Sequence, residues 1–238
     1  MIHRTEAIVF RTFPLRDSKH ILKAFTKNFG LKSFVIRASR KSRSNEFAKT
    51  QALNLISIEW KEKNGDLAYA NSIDISEPYK TIPINIEKSS IVLFLAEVLQ
   101  KSIKEEIENP QLFAFLKNAL LYLDTTDSYA NFHLSFLIKL SKFHGYLPVL
   151  EGANGEKIFD MQNAVLLDHE PRHEYYFSEE NSKLLKSLSG MNFDTCESLH
   201  LNRERRNLFL NDVLNYYRYH IEGMEEIKGH EVLQTVFE

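Results

Sequence analysis

The sequence has very little of three features that mark large classes of proteins: paired cysteines, phosphate-binding glycine loops and long apolar runs. Its single cysteine, Cys196, cannot form an intramolecular disulfide, and no CxxC pair is present to hold a structural zinc. The glycine pair at residues 152–157 has neither the spacing nor the hydroxyl of a nucleotide-binding loop. These absences argue against a disulfide-stabilised secreted protein and against ATP hydrolysis.

Membrane insertion and secretion are also not indicated. The most apolar run, residues 91–99, is too short to cross a bilayer and carries Glu97. The N-terminal segment reaches Arg4 and Glu6 before any apolar region develops, unlike a signal peptide. With 43% hydrophobic and 26% charged residues, the composition is that of a globular protein. We therefore expect a folded, cytoplasmic protein with no membrane segment.

The net charge of −2 conceals an uneven distribution along the chain. Residues 1–50 contain 12 basic and 3 acidic side chains, which leaves 18 basic and 29 acidic side chains for the remainder. This asymmetry predicts a polyanion-binding N-terminal part on an acidic body, with a merely solvated charged face as the alternative.

Alternating patterns and turn signals predict five strands in the first third of the chain. The second and third strands are joined by a short turn at Gly30, and Asn64-Gly65 predicts a hairpin between the last two. The expected strands cover residues 6–12, 21–27, 31–38, 53–61 and 67–75. Five strands with short turns suggest a small closed barrel of the oligonucleotide/oligosaccharide-binding (OB) type.

In such a barrel, the second and third strands and the adjoining loops hold the ligand. Cations and the hydroxyls of Ser39, Ser42 and Ser44 would contact phosphates there. Four phenylalanines are candidate stacking platforms, of which we expect Phe29 and Phe34 in the core and Phe13 and Phe47 nearer the surface. The candidate DNA-binding cations are Arg11, Arg16, Lys19, Lys23, Lys27, Lys32, Arg37, Arg40, Lys41 and Arg43.

After Pro78 and Pro83 the apolar spacing changes from that of strands to that of helices. The predicted fold class is α+β and multidomain: an OB-fold β-barrel over residues 1–80, followed by an α-helical bundle domain over residues 81–238. Helices are expected at residues 86–103 and 110–123, from Asp127 or Ser128 to Gly145, from Ser178 to Gly190, and from Asn202 to Gly223. The irregular insertion at about 151–177 includes a predicted hairpin at residues 157–160 and 164–167.

No residue pattern nominates a catalytic site. His169 and His173 lie in a cluster of metal-ligand types at residues 168–174, but Pro171 interrupts the helical spacing, which favours a solvated polar loop over a metal site. His133, His144 and His220 lie on apolar stripes and are expected to pack. Cys196 lies among acidic residues, which should raise its pKa.

Several short motifs, in their order along the chain, resemble the RecO family of bacterial recombination mediators. They are Ala-Ile-Val-Phe-Arg-Thr at 7–12, Arg-Asp-Ser-Lys at 16–19, Phe-Thr-Lys-Asn-Phe-Gly at 25–30 and Ala-Ser-Arg-Lys-Ser-Arg at 38–43. The resemblance continues with Gly-Tyr-Leu-Pro at 145–148 and Tyr-His-Ile-Glu-Gly at 219–223. It therefore spans nearly the whole chain.

The resemblance implies a non-enzymatic protein without cofactors that binds single- and double-stranded DNA and anneals complementary strands. Its implied partners are RecR, the C-terminal tail of single-strand DNA-binding protein (SSB) and, indirectly, RecA, with a nucleoid-associated location. Many family members hold zinc with four cysteines after the Gly-x-x-Pro element, whereas this chain has Glu-Gly-Ala-Asn at 151–154 and no zinc ligands there. A cationic pocket for the acidic, apolar tail is hypothesised at Lys139, Lys142, Arg203, Arg205 and Arg206.

Two other functions stay open from the residues alone. One is a metal-dependent nuclease or phosphodiesterase that uses the cluster at residues 168–174 beside a DNA-binding barrel. The other is a scaffold whose OB barrel binds only protein.

Overall fold

The computed structural model describes residues 2–16, 19–37, 47–61, 68–104, 106–150 and 157–237. Contacts between Cα atoms divide the chain into two compact units, Met1–Thr125 and Thr126–Glu238. The first unit thus includes the helices between residues 86 and 125 besides the strands. The sequence-based division at residue 80, where the pattern changes from strands to helices, stays a prediction.

The first unit is built on a closed barrel of five strands. The strands are β1 (Ile2–Pro14), β2 (Lys19–Thr26), β3 (Gly30–Arg37), β4 (Leu55–Lys61) and β5 (Ala68–Glu77), in the order β1-β2-β3-β5-β4. The β3–β5 pair is parallel and the other pairs are antiparallel. The long β1 pairs with both β2 and β4, and the β3–β5 pair completes the closed barrel. The predicted barrel class is confirmed.

The interior of the barrel is filled by alternate residues of its strands, as side-chain alternation requires. Trp60 is completely buried, and the rings of Phe29 and Phe34 contact it edge-on, with ring centroids 5.0 and 5.3 Å from its own. The other members of this core are small or branched, which suits a narrow barrel: Ala7, Val9, Leu22, Ala24, Ile36, Ile56, Ile58, Ala68 and Ile73. Phe29 and Phe34 therefore serve packing, as expected.

Two helices complete the first unit, α1 (Ile86–Ser102) and α2 (Pro110–Thr125). Asp124, in the last turn of α2, binds the backbone of residues 80–82, which follow β5. Its carboxylate accepts hydrogen bonds from the backbone N–H groups of Lys80, Thr81 and Ile82 at 2.8–2.9 Å. Burial alone would raise the pKa of Asp124, but these donors outweigh it and lower that pKa below its usual value.

The second unit contains α3 (Phe132–Ser141), α4 (Glu179–Ser189), α5 (Arg203–His220) and α6 (Gly229–Val236). A small hairpin of β6 (Ile158–Asp160) and β7 (Val165–Leu167) lies between α3 and α4, where the sequence predicted one. Tyr217 of α5 donates a hydrogen bond to the carbonyl of Leu137 in α3 at 2.6 Å. The helices of this unit are thus joined by apolar packing and by buried polar links.

The start of α3 differs from the prediction, and α6 was not predicted. The sequence favoured Asp127 or Ser128 as the N-cap, but the cap is Asn131. Thr126 and Ser128 instead hydrogen-bond to each other in a turn. The side chain of Asn131 donates to the carbonyls of Cys196 and Leu199, so tertiary contacts decide where this helix begins. No pattern of local caps reveals such contacts.

Candidate nucleic-acid interface

Four of the predicted DNA-binding cations share the outer face of β1, β2 and β3. Arg11 lies opposite Lys23 on the neighbouring strand, and Lys23 lies opposite Ser33. Toward the other end of β2, Lys19 lies opposite Arg37. Directly opposed residues project from the same face of a sheet, so these pairs form two cationic rows. The rows lie about 13 Å apart along β2, from a rise of roughly 3.3 Å per residue.

An apolar row separates the two cationic rows. Phe13, Ile21 and Val35 lie opposite one another on the three strands. The guanidinium of Arg11 lies over the ring of Phe13, 5.4 Å from its centroid, and Phe13 is partly exposed. A planar, partly exposed ring between cations is the combination on which nucleic acid bases stack while phosphates are neutralised. We refer to the three rows together as the barrel face.

Other predicted cations lie away from the barrel face. Lys27, in the turn after β2, forms an ion pair with Glu6 at 3.1 Å. Lys32 lies opposite Ala24 of the interior, at the end of the barrel, and its ammonium group is 5.8 Å from the centroid of the Phe29 ring. Arg16 is exposed in the turn after β1. Arg40, Lys41 and Arg43 lie outside the described residues.

Glu6 binds the ammonium groups of two lysines, one of which is Lys27. This carboxylate also accepts from Lys117 of α2 at 2.7 Å, and Lys117 reaches Glu77 at 3.3 Å. The hydrogen bond from Lys117 is the main cause of the lowered pKa of Glu6. Lys27 and Lys117 therefore take part in an ion network that joins the barrel to α2.

A cleft of about 530 Å³ opens beside the barrel face, where β3 meets β5. It is lined by Arg37, which the sequence predicted as a DNA-binding residue. Lys49, Lys61 and Tyr69 also line it, and the sequence patterns did not single out these three. Lys49 is anchored through the carbonyl of Ile73 at 2.7 Å. The only sequence signal for these residues is that Lys61 and Tyr69 flank the predicted Asn64-Gly65 hairpin.

The cations hypothesised for a partner peptide are spread over the second unit. Arg206 is partly buried and donates to the carbonyl of Leu201 and to the Asn131 side chain, and Arg203 donates to the carbonyl of Gln234. Arg205 pairs with Glu180 at 3.0 Å. Lys139 donates to the carbonyl of Met191 at 2.6 Å, and Lys142 is exposed. Most of these cations thus already have partners within the chain.

The side chains of metal-ligand type at residues 168–174 do not converge. His169 is exposed and contacts its neighbour Asp168, whereas His173 lies 3.4 Å from Asp160. Within the described ranges, no group of three or more histidine, cysteine, aspartate or glutamate side chains could hold a metal ion.

His133 and Cys196 are buried, and His144 and His220 are partly buried, so the histidines pack as their sequence contexts predicted. Burial lowers the pKa of His133 to about 3 and that of His144 to about 4. His220 hydrogen-bonds the carbonyl of Met161 at 2.7 Å. Burial, with the adjacent Glu197, raises the pKa of Cys196 to about 12, which confirms the predicted direction. In the part of the chain that the structure describes, no helix has the length and apolar character to cross a membrane.

Family models match both parts of the chain: "Recombination protein O N terminal" covers residues 1–79 and "Recombination protein O C terminal" covers residues 84–226. The chain belongs to the RecO family. It is 34% identical to the DNA repair protein RecO of Flavobacterium psychrophilum over 98% of both chains. RecO of Bacteroides fragilis is also 34% identical, over the full length of both chains, and RecO of Christiangramia forsetii is 31% identical over the same extent. A role in DNA repair and recombination follows from this membership.

Proposed function

We propose that this RecO-family protein is a recombination mediator that binds single- and double-stranded DNA and anneals complementary strands without enzymatic turnover. Its proposed partners are RecR and the tail of SSB, and its proposed result is the loading of RecA onto SSB-coated strands in the cytoplasm. The observation that carries the DNA-binding part is the barrel face, because it concentrates cations on both sides of an apolar, partly aromatic row.

Electrostatics gives the mechanism of binding. Each cation that meets a phosphate releases a condensed counterion, which favours binding and makes the affinity depend on salt. The row of Arg11 and Lys23 and the row of Lys19 and Arg37 can each follow a backbone, while a base lies over Phe13. Arg40, Lys41 and Arg43 are proposed to add contacts beyond the end of β3.

Annealing requires that the repulsion between two polyanionic strands be reduced. A surface with two cationic rows neutralises phosphates of both strands at once, so complementary bases meet at a lower electrostatic cost. The chain after residue 50 has an excess of acidic residues, which repel DNA, so we assign the binding of protein partners to that part. For the SSB tail, the proposed residues are Lys139, Lys142, Arg203, Arg205 and Arg206, of which Lys142 and Arg203 are exposed.

The test uses pure full-length protein with labelled complementary oligonucleotides, with and without magnesium or manganese. The proposal predicts salt-sensitive binding to single strands and faster annealing of complementary strands, with every strand still intact. Cleavage that disappears after substitution of His169 and His173 would instead identify a nuclease. If the protein does not bind DNA even at low salt, the remaining function would be that of a protein-binding scaffold. RecR and SSB-tail titrations then test the partners separately.

A further inference from the structure

A groove in the second unit has α5 as one wall and residues 171–176 as the other. Two cavities of about 500 and 620 Å³ share Glu174, Tyr176 and Asp212 in their linings and so adjoin each other. The wall from α5 presents one helical stripe, with members three or four residues apart, over about 21 Å at 1.5 Å per residue. This stripe consists of Arg205, Leu208, Asp212, Asn215 and Tyr219. We call the two adjoining cavities the α5 groove.

Exposed aromatic and aliphatic side chains line the α5 groove. Tyr175 is 48% exposed and Tyr219 is 43% exposed, and their ring centroids lie 5.1 Å apart. Leu208 is 50% exposed. Large apolar surfaces in a concave site mark binding sites more often than they mark ordinary surface. The tyrosine faces additionally attract cations, since the ring quadrupole is negative above its plane.

Three carboxylates surround the tyrosines: Glu174, Asp212 and Glu225. The carboxylate of Asp212 accepts from the Asn181 side chain, and Arg205, which pairs with Glu180, exerts a Coulombic attraction on it that lowers its pKa. Burial outweighs the effects of Asn181 and Arg205 and raises the pKa of Asp212, so a further cation bound there would relieve the cost of its charge. The cavity that holds both tyrosines also contains Arg218, whose guanidinium donates to the Asn215 side chain at 2.9 Å. In the adjoining cavity, Arg205 pairs with Glu180 at 3.0 Å and Arg172 is exposed.

Asn181 supplies a separate indication of a ligand that donates hydrogen bonds. It lines the groove, it is only 6% exposed, and its amide nitrogen is used by Asp212. Its Oδ1 has no hydrogen-bond partner among the described residues. A buried acceptor without a donor carries a desolvation cost that an incoming N–H group removes.

We propose that the α5 groove binds an arginine-containing segment of a partner protein, with the arginine in the cavity that holds Tyr175 and Tyr219. A guanidinium would lie against Tyr175 or Tyr219 and donate to the carboxylates of Glu174, Asp212 and Glu225, and Leu208 would receive an apolar neighbour in the same segment. Arginine is favoured over lysine because its planar group stacks on rings and donates in a fork. Nucleic acid is disfavoured at the tyrosines, since its phosphates would meet the three carboxylates that line the same cavity. The groove is thus distinct in its chemistry from the barrel face.

The experiment measures the binding of labelled peptides to the full-length protein by fluorescence anisotropy in the absence of DNA. One peptide alternates arginine and leucine, and its control carries citrulline, which keeps the shape of arginine without its charge, in place of each arginine. Asp212→Asn, Glu225→Gln and Tyr219→Leu are compared with Glu204→Gln, an exposed carboxylate on α5 that does not line the groove. Thermal melting checks that each variant is folded.

We expect the arginine peptide to bind the wild type at least about tenfold more tightly than the citrulline peptide. Tyr219→Leu and Asp212→Asn should each weaken it about fivefold to tenfold, and Glu204→Gln should leave it unchanged. Because Glu225 and Tyr219 are exposed, their variants report on binding even if Asp212→Asn is unstable. Equal affinity for the two peptides, or equal effects of all four variants, would overturn the proposal. A single-stranded oligonucleotide whose affinity falls in Tyr219→Leu would assign the groove to nucleic acid instead.

Discussion

Arg11 and Lys23 lie directly opposite each other on β1 and β2, so both side chains project from the outer face of the barrel. This pairing depends on an irregularity in β1. The register shifts between Val9 and Arg11, and the residue between them, Phe10, is completely buried. Without the shift, simple alternation from Val9, whose side chain is interior, would direct Arg11 inward. The bulge therefore places a cation and the following Phe13 on the barrel face.

Lys23 and Lys27 make a matched pair for testing which cations meet DNA. Lys23 belongs to the barrel face, whereas Lys27 is held by Glu6. We expect Lys23→Gln to lower the magnitude of the log–log salt slope for single-stranded DNA by about 0.7. Lys27→Gln should leave the slope within error, and anisotropy titrations over a series of salt concentrations measure both. Equal losses in the two variants would mean that the Glu6 ion pair opens when DNA binds.

Replacing Asp124 should destabilise the first unit. Asp124→Asn removes the charge that three backbone N–H groups contact and replaces one acceptor oxygen by an NH₂ donor, and we expect a loss of about 3 kcal/mol in the free energy of unfolding. Because the folded pKa of Asp124 is lowered, its contribution is complete above the ordinary pKa and declines as the pH falls through about 4 toward the folded value. Urea unfolding at neutral and acidic pH checks this. The difference between wild type and variant should shrink at low pH, and a constant difference would contradict the assignment.

Gly30 and Gly145 test two different reasons for a glycine: lack of space for a Cβ atom, and a positive φ angle. Both have positive φ, +63° and +82°. A Cβ at Gly30 would lie 2.4 Å from the carbonyl oxygen of Glu106, whereas one at Gly145 would meet nothing within 4 Å. We expect Gly145→Ala to cost about 1 kcal/mol and Gly30→Ala about 3 kcal/mol in denaturant unfolding. Similar costs for the two variants would show that residue 106 moves away easily.

Cys196 should be unreactive in the folded protein. A pKa of about 12 leaves very little thiolate at pH 8, because the thiol is buried beside Glu197. We expect its reaction with a disulfide reagent such as Ellman's reagent to be slower than that of the denatured chain by on the order of a thousandfold. Absorbance time courses with and without guanidinium chloride measure the ratio. A fast reaction of the folded protein would place Cys196 nearer the surface.

The sequence patterns predicted those elements whose signals are local. Asn109 with Pro110, Ser178 and Asn202 do begin helices, because each cap side chain accepts a hydrogen bond from the N–H group three residues later. Asn131 was missed since its partners lie more than sixty residues further along the chain. The barrel face was predicted in composition but not in arrangement, because neither the bulge in β1 nor the capture of Lys27 by Glu6 leaves a sequence pattern.

The salt dependence of single-stranded DNA binding tests most directly that the barrel face meets phosphates. The decisive variant carries Arg11→Gln, Lys19→Gln, Lys23→Gln and Arg37→Gln, and Lys186→Gln on the exposed side of α4 is its control. The account predicts that the fourfold variant loses about 3 from the magnitude of the log–log salt slope, while the control keeps the wild-type slope. A folded fourfold variant that retains wild-type affinity and slope would contradict it.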